Sequence, residues 1–388
     1  MKILHTADWH VGKVLKNQPR FDEHRAVLGD IERIARDEDV DLVVVAGDLF
    51  ETSTPGPDAQ GLVMKTLMAL RADRREVVVL AGNHDNQRMV DKVYRPVLGE
   101  LGLHVVGTPQ RPENGGLLSL RTRTGEDAKV AVLPFVSYRH AVRAAEVLLT
   151  EPAQHSWTYA NRVHRLIDTL TAGFTTDTVN LITTHATLLG GRKGGGERAV
   201  QTLLGYELPA QIFPSSAHYV ALGHLHRYQE IEGPCPIAYS GSPLALDFGE
   251  ENNEPVAIVV TATPDIRANA RPVPVTGGRR LRTIRGTLDH VIADGEQDPE
   301  AYLRVILTQQ ASAGLGDQVR EKLTNAIDVQ IDERYRPRSA VTERSAKSRL
   351  DRSPVELFAD FLAEQNVADE RVSAMFAELL ENTSGGAD

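Results

Sequence analysis

Apolar and polar residues follow two different periods in the first two thirds of the chain. Nearly continuous apolar runs at residues 40–45 and 76–80 are typical of β-strands that are covered on both faces. Residues 21–35 and 60–70 carry apolar side chains at the spacing of an amphipathic helix. Further strands are predicted at residues 2–7, 129–133, 178–183, 218–222, 237–240 and 256–260, and further helices at residues 139–149 and 157–170. This alternation predicts a layered α/β domain over residues 1–270.

The pattern changes after residue 270. Residues 271–280 (RPVPVTGGRR) are predicted to be a linker that leads into a second, smaller α+β domain, which extends to residue 340. The elements expected in that domain are strands at 283–286, 302–308 and 326–331 and a helix at 316–325. Residues 334–352 are charged and aperiodic, which indicates a flexible connector.

Two short amphipathic helices are predicted in the tail, residues 341–388. The first begins at the capping box Ser353-Pro354-Val355-Glu356. Helices this short cannot bury two apolar stripes in a core of their own. They either dock on the main domain or present an apolar groove to a partner helix. The candidate partner contacts are Leu357, Phe358, Phe361, Met375 and Phe376.

Bulk composition narrows the class of protein. The chain has 388 residues, one cysteine and a formal net charge of -10. A single cysteine excludes an internal disulfide and a thiolate-rich zinc site, and it fits a reducing cytoplasm. The net charge argues against attraction of the whole molecule to nucleic acid, but a local basic groove stays possible. No apolar run approaches the ~18 residues of a membrane span, so we expect a cytoplasmic protein.

Seven potential metal ligands stand in five short polar segments, each directly after a predicted strand. They are Asp8, His10, Asp48, Asn83, His185, His224 and His226. Each segment alone is explained as an ordinary turn or cap. Together they predict two adjacent divalent ions at one edge of a sheet, and such pairs usually hydrolyse a phosphate ester. Carboxylate, amide and imidazole ligands suit manganese, iron or zinc better than magnesium.

Two pairs of these ligands are separated by a single residue. Asp8 and His10 form one pair, and His224 and His226 form the other. On an extended segment, side chains at i and i+2 project to the same face. We therefore expect each pair to reach the site from extended backbone.

The same segments resemble a known family. The motifs of the calcineurin-like metallophosphoesterase superfamily are similar to five segments of this chain. These segments are MKILHTADWHVGK, VVVAGDLFE, VLAGNHDN, ALGHLHR and the later YSGSPL. The closer similarity is to the superfamily's nuclease subunits of DNA double-strand-break repair, and it is strong over residues 1–260. The resemblance implies a two-sheet sandwich flanked by helices, a small α+β cap domain and a helical tail.

The resemblance also implies roles. Asp8, His10 and His226 would hold a first ion, Asn83, His185 and His224 a second, and Asp48 would bridge them. His84 would protonate or stabilise the leaving group, and Asp85 would orient His84. The implied enzyme uses manganese and acts as a 3′-to-5′ double-strand exonuclease and single-strand endonuclease. Its partners would be an SMC-like ATPase bound by the tail and a second copy bound through the catalytic domain, with residues 21–35 and 60–70 as candidates.

Basic residues are the sequence's own argument for DNA. Candidate contacts are Arg192, Lys193, Arg198, Arg279 and Arg280. Such residues on flexible backbone can track a phosphate chain, although runs of this kind are often only solvated charges. Two other functions stay open: a stand-alone phosphodiesterase or phosphatase for a small nucleotide, and a non-catalytic scaffold that keeps the fold. The complete ligand set and His84 argue against the scaffold.

Overall fold

The centre of the molecule is a pair of facing β-sheets. The computed structural model describes residues 1–137, 141, 158–195, 207–312, 314–336, 358 and 362. Within these ranges the first sheet has six strands in the order β14 (Ile266–Pro274), β13 (Val256–Thr263), β1 (Lys2–Thr6), β4 (Leu42–Val45), β5 (Glu76–Leu80) and β6 (His104–Val106). The second sheet, counted over the same ranges, has the order β11 (Gln229–Ile231), β12 (Ile237–Tyr239), β10 (Tyr219–Gly223), β9 (Val179–His185), β8 (Asp127–Leu133) and β7 (Leu117–Arg121).

Helices cover the outer face of each sheet. The first sheet is covered by α1 (Phe21–Asp37), α2 (Pro57–Leu70) and a continuous helical stretch of α3 (Gln87–Met89), a π-helical turn (Val90–Tyr94) and α4 (Arg95–Glu100). The second sheet is covered by α5 (Tyr159–Thr171). A short hairpin, β2 (Val14–Leu15) and β3 (Gln18–Pro19), precedes α1.

The strand β4 is apolar at every position because both of its faces are buried. Val43 and Val45 pack with the helices of the outer layer, whereas Leu42 and Val44 pack into the layer between the two sheets. A strand that is buried on both faces has no position at which a polar side chain would reach water. The layered sandwich expected for this class of fold is therefore confirmed.

A small third sheet follows the sandwich. It consists of β15 (Leu281–Gly286), β16 (Tyr302–Leu307) and β17 (Ala326–Ile331), with α6 (Leu288–Gly295) and α7 (Leu315–Lys322) beside it. Leu281 of β15 packs with Phe248 and Leu15 of the sandwich. Because this contact is apolar and buried, the small sheet is anchored to the sandwich.

The chain divides into two compact units. One comprises Met1–Leu307 with Gly316–Gln330 and contains both large sheets and most of the small one. The other comprises Thr308–Leu315 with Ile331–Asp388, of which residues 337–357 and most of the tail lie outside the described ranges. None of the helices in the described part of the chain is both long enough and apolar enough to cross a bilayer.

Several sequence predictions need correction. The linker predicted at residues 271–280 is wrong at its start, because β14 continues to Pro274. Its prolines are tolerated because β14 is the edge strand of the first sheet, where one row of N–H groups has no strand to bind. The pattern also missed β6, β7, β11, α6 and the helical stretch from Gln87 to Glu100. The predicted helix at 139–149, and Arg198, Leu357, Phe361, Met375 and Phe376, lie outside the described residues; Phe358 is half-buried.

Candidate dinuclear metal centre

The seven predicted ligands meet at the carboxyl ends of five parallel strands. In the first sheet, β1, β4 and β5 run parallel and end directly before the segments that carry Asp8, Asp48 and Asn83. In the second sheet, β9 and β10 run parallel; β9 ends at His185, and β10 ends just before His224. The carboxyl ends of these strands lie on the same side of the two sheets, so both sheets contribute ligands to one site.

The backbone at four of these residues is left-handed. The φ angles are 54° at Asp8, 46° at His10, 51° at Asp48 and 104° at His224. The expectation that Asp8-x-His10 and His224-x-His226 are extended is therefore wrong, because β1 and β10 end first and the chain turns sharply. Left-handed backbone is costly for residues other than glycine and clusters at functional sites.

Two glycines permit the close approach of the ligand segments. A Cβ on Gly82 would lie 2.1 Å from Asp48 Oδ1, and a Cβ on Gly223 would lie 1.9 Å from the carbonyl oxygen of Ala46. Both distances are too short for any side chain. The glycines that precede Asn83 and His224 are thus required by packing of the site itself.

One group of ligand atoms surrounds the side chain of Asn83. Its Oδ1 lies 2.9 Å from His185 Nε2 and 2.8 Å from His224 Nδ1. The two imidazole nitrogens are 3.3 Å apart, and Asp48 Oδ2 lies 3.3 Å from His185 Nε2. These atoms converge on a single point, as ligands of one ion do.

A second group adjoins the first through Asp48. Asp8, His10 and His226 each place a ligand atom within 4.8 Å of the others. Asp48 Oδ2, which approaches His185, also lies 3.5 Å from His10 Nε2. One carboxylate oxygen is therefore shared by both groups, which is the position of a bridging ligand.

Divalent ions fit this arrangement. His10 Nε2 is buried, and no hydrogen-bond partner reaches it from the described part of the chain. Buried nitrogen atoms of this kind are rare unless they serve a function. The carboxylates of Asp8 and Asp48 are also buried, and buried charges require compensation. Cations would satisfy both the free nitrogen and the two carboxylates.

The protein alone shifts the pKa values of these groups strongly. Burial raises the pKa of Asp8 to about 7 and lowers the pKa of His10 to about 4. Burial opposes charge on His185 as well, yet the adjacent Asp48 raises the pKa of His185 to about 9. Without a cation, a proton on His185 thus compensates Asp48. A metal ion would replace that proton, as metal binding to protonated ligands generally does.

His84 lies beside the shared carboxylate. Its backbone N–H donates to Asp48 Oδ1 at 2.8 Å, and its ring Nδ1 donates to the backbone carbonyl oxygen of Glu51 at 2.7 Å. Its ring is 4.6 Å from the ring of His10, edge to face. His84 also forms a candidate ligand group with His10 and Asp48. Geometry alone therefore allows either an acid or a ligand at this position.

Asp85 holds the surrounding loops. Its carboxylate accepts hydrogen bonds from the backbone N–H groups of Gly82, Leu49 and Phe50, at 2.9, 3.2 and 3.1 Å. The prediction that Asp85 orients the ring of His84 is wrong, because that ring donates to the carbonyl oxygen of Glu51. Asp85 instead ties the segment after β5 to the segment after β4.

Two glutamates that the sequence did not single out contact the site. Glu51 Oε2 lies 3.0 Å from His10 Nδ1, and Glu250 Oε1 lies 2.8 Å from His226 Nδ1. Glu51 follows Asp48 closely, which was an available signal. Glu250 lies in a turn that follows the second sheet, and its sequence neighbourhood carries no such signal.

The basic loop predicted to bind DNA adjoins the site. Arg192 and Lys193 are both exposed. Gly194 packs so closely that a Cβ there would lie 3.0 Å from His226 Cβ. The loop is fixed by a pair of hydrogen bonds, each 2.7 Å long, between the backbone of Arg192 and the side chain of Gln229.

The other basic candidates have partners within the chain. Arg280 donates to Asp298 at 2.6 Å, and Arg279 donates to the carbonyl oxygen of Glu300 at 2.7 Å and stacks on Tyr302. The arginine of the Arg280–Asp298 pair is largely exposed, so the free energy of that pair is small. These two arginines are therefore weaker candidates than the loop beside the site.

The two-sheet sandwich and the seven predicted ligands at its edge together define the class of metal-dependent phosphoesterases. A family model described as calcineurin-like phosphoesterase matches residues 1–228, and a model described as Type 5 capsule protein repressor C-terminal domain matches residues 278–366. The chain is 35% identical over 294 residues to the SbcD subunit of the nuclease SbcCD of Bacillus subtilis, covering 72% of this chain and 71% of that protein.

Two further SbcD proteins are similar to this chain. The Rhodobacter capsulatus protein is 36% identical over 260 residues, covering 64% of each chain. The Escherichia coli K12 protein is 28% identical over 340 residues, covering 85% of this chain and 84% of that one. These matches show that the chain belongs to the calcineurin-like phosphoesterase family, on the branch of the SbcD nuclease proteins.

Proposed function

We propose that this protein is the nuclease component of a DNA repair and recombination complex. It would act as a 3′-to-5′ double-strand exonuclease and a single-strand endonuclease, together with an SbcC-type SMC-like ATPase. The observation that carries the proposal is that the seven predicted ligands, from five separate segments, form two adjoining groups that share the carboxylate of Asp48. The relatives, which are named as SbcD components of the nuclease SbcCD, favour this function over a stand-alone phosphodiesterase.

The proposed ligand assignment follows the two groups of atoms. Asp8, His10 and His226 would hold one ion, and Asn83, His185 and His224 would hold the other. Asp48 would contribute to both, since its Oδ2 approaches both His10 and His185. His185 donates its Nδ1–H to Ala46 at 2.8 Å, which leaves its Nε2 for the ion. We propose manganese, because the set mixes imidazole nitrogen with carboxylate and amide oxygen.

Two cations held by these residues would neutralise the phosphate oxygens and lower the pKa of a water molecule that attacks the phosphate. His84 provides the proton for the leaving oxygen. Because its Nδ1 is occupied by the carbonyl oxygen of Glu51, the proton must come from Nε2. Such general acid catalysis typically contributes about 10²–10⁴-fold.

DNA as the substrate is supported by the loop at residues 191–195. Its exposed Arg192 and Lys193 are close in sequence to Gly194, which packs against the ligand His226, so they can bind backbone phosphates of a DNA strand that enters the site. The cations at the site would also reverse the local potential of a chain whose net charge is -10. A cytoplasmic location is part of the proposal.

A second copy of the chain is the proposed partner of the catalytic domain. Of the two predicted surfaces, α1 exposes charged residues that form ion pairs such as Arg25–Asp22 and Arg33–Asp30. The surface beside α2 is more apolar: Met68 is 39% exposed, and the neighbouring helical stretch exposes the stripe of Val93, Val97 and Leu101. The two are adjacent, since Tyr94 donates to Gln60 at 3.1 Å. This face suits a self-association better than α1 does.

The substrate proposal is tested with purified full-length protein and manganese. One sample contains linear duplex DNA labelled at its 3′ ends, a second contains single-stranded circles, and a third contains cyclic nucleotides. We expect mononucleotide release from the duplex and linearisation of the circles. Turnover of the cyclic nucleotides without any DNA cleavage would replace the nuclease with a small-substrate phosphodiesterase.

A further inference from the structure

Two glutamates form hydrogen bonds with the imidazoles of one proposed ion site. His10 and His226, both assigned to the ion that Asp8 also holds, present their Nδ1 atoms to Glu51 and Glu250 at 3.0 and 2.8 Å. A carboxylate can only accept in these bonds, so each ring donates its Nδ1–H. The lone pair of each Nε2 is thereby directed to the side of the ring opposite the glutamate.

The other proposed site is built differently. His185 is held by a neutral acceptor, the carbonyl oxygen of Ala46. His224 presents its Nδ1, not its Nε2, to the atoms that surround Asn83. Carboxylates behind metal-binding histidines fix the tautomer and make the ring a stronger ligand. The two sites therefore differ in their supporting charge as well as in one direct ligand, which is the carboxylate of Asp8 in the first and the amide oxygen of Asn83 in the second.

Glu250 is the more firmly held of the two glutamates. It is fully buried, and its second oxygen accepts from the N–H of Leu246 at 2.7 Å. Glu51 is 22% exposed, and its second oxygen is 3.0 Å from Lys13 Nζ, which offsets part of its charge. The carboxylate of Glu250 therefore acts on His226 with less screening than that of Glu51 on His10.

We propose that Glu250 and Glu51 are positioning residues that make the site of Asp8, His10 and His226 the tighter of the two cation sites. Loading would then be ordered: this site fills first, and the site around Asn83 fills at higher metal concentration. The inference rests on the ligand assignment proposed above, but not on the identity of the substrate. Loss of such a supporting carboxylate typically weakens metal binding about 10- to 100-fold.

The test is a titration of metal-free full-length protein with manganese. Binding is measured by calorimetry and, independently, by the electron paramagnetic resonance signal of free Mn²⁺. We expect two classes of site in the wild type. Asn83→Ala should weaken the looser class. Glu250→Gln should weaken the tighter class about 10- to 100-fold, and Glu51→Gln should do so to a smaller extent. Glu254→Gln, an exposed residue in the same turn region, is the matched control and should change neither class.

Three results would overturn the inference. They are a Glu250→Gln variant that weakens the same class as Asn83→Ala, a Glu250→Gln variant that leaves both classes unchanged, and a wild type with two equal sites. If Glu250→Gln does not fold, Glu51→Gln decides by the same readout, since it leaves the backbone contact with His84 in place. A wild type that binds no manganese at all contradicts the proposed metal centre itself, whereas metal binding in two classes without DNA cleavage contradicts only the proposed substrate.

Discussion

The carbonyl oxygen of Glu51 accepts a hydrogen bond from His84 Nδ1 at 2.7 Å. This bond fixes the tautomer of His84 and is made by the backbone, so it survives any change of the Glu51 side chain. His84 nevertheless lies close enough to His10 and Asp48 to be a ligand. Metal binding by a variant of His84 therefore distinguishes the proposed acid from a ligand.

We predict that His84→Gln retains both manganese sites and loses cleavage by about 10²–10⁴-fold, the usual contribution of a general acid. Glutamine can still accept or donate near the scissile phosphate but has no titratable proton. The measurements are metal titration and cleavage of labelled duplex DNA on the same preparation. A variant that binds one ion fewer would identify His84 as a ligand.

Gly82→Ala should damage the site without removing any ligand. The new Cβ would lie 2.1 Å from Asp48 Oδ1 and 2.4 Å from its backbone nitrogen, so the bridging residue must move. Overpacking of this kind costs about 1–3 kcal/mol of unfolding free energy, and we expect metal affinity to fall with it.

Gly61→Ala is the matched control for that variant. Gly61 lies in α2, and a Cβ there would meet nothing within 4 Å. The substitution should leave metal binding unchanged and stabilise the helix by up to about 1 kcal/mol. Equal metal affinity in the two alanine variants would show that the close approach at Gly82 is unimportant.

His5 should make the protein sensitive to acid. Its ring is buried between the sheets, with Nδ1 2.9 Å from the Tyr219 hydroxyl and Nε2 3.1 Å from the carbonyl oxygen of Leu222. Burial lowers the pKa of His5 to about 3. Below its ordinary pKa, about 6.5, the unfolded chain takes up a proton that the folded chain refuses. The stabilisation is therefore complete above pH 6.5 and is lost as the pH falls toward 3.

The expected loss from His5 is about 2 kcal/mol between pH 7 and pH 5, since each pH unit corresponds to about 1.4 kcal/mol. Urea unfolding of the wild type and of His5→Gln at both pH values measures it. The variant should lose about 2 kcal/mol less than the wild type over this range. Equal losses would mean that another group dominates this range.

Val97→Glu should disrupt self-association. Val97 is 60% exposed, in the middle of the stripe that also contains Val93 and Leu101. A charge there would have to be buried in a dimer, which is costly. Light scattering after size exclusion should show a dimer for the wild type and a monomer for the variant. Ile266→Glu changes a similarly exposed residue on the edge strand β14 and should leave the mass unchanged.

Deletion of residues 353–388 tests the proposed contact with the ATPase. We expect the sandwich to stay folded and manganese-binding, because the residues of its core clusters, as far as the structure describes them, all precede the tail. Affinity for an SbcC-type ATPase should fall at least tenfold in a pull-down titration. Full affinity in the truncated chain would assign the contact to another surface.

The sequence predicted the strands and the ligands for the same physical reason. A run such as Leu42–Val45 must be buried on both faces, and the carboxyl ends of such parallel strands must meet at one edge. Asp48 and Asn83 could therefore be placed together without coordinates. The small three-stranded sheet was found as well, because β16 alternates buried and half-buried positions.

Other features depended on tertiary contacts and were out of reach. The left-handed turns at Asp8 and His224 depend on how the chain folds after β1 and β10 end, and the spacing of the ligands alone predicts extended backbone instead. β14 contains two prolines that ordinarily exclude a strand, and only its position at the sheet edge allows them. Glu250 supports His226 solely because the turn after β12 folds back over the site.

The strand β1 has a consequence for synthesis of the protein. It lies between β4 and β13, and β13 begins only at Val256. A nascent chain on the ribosome therefore exposes one hydrogen-bonding edge of β1 until that late segment emerges. Uncovered strand edges recruit other chains. Premature termination before Val256 would thus produce an aggregating fragment, not a smaller working enzyme.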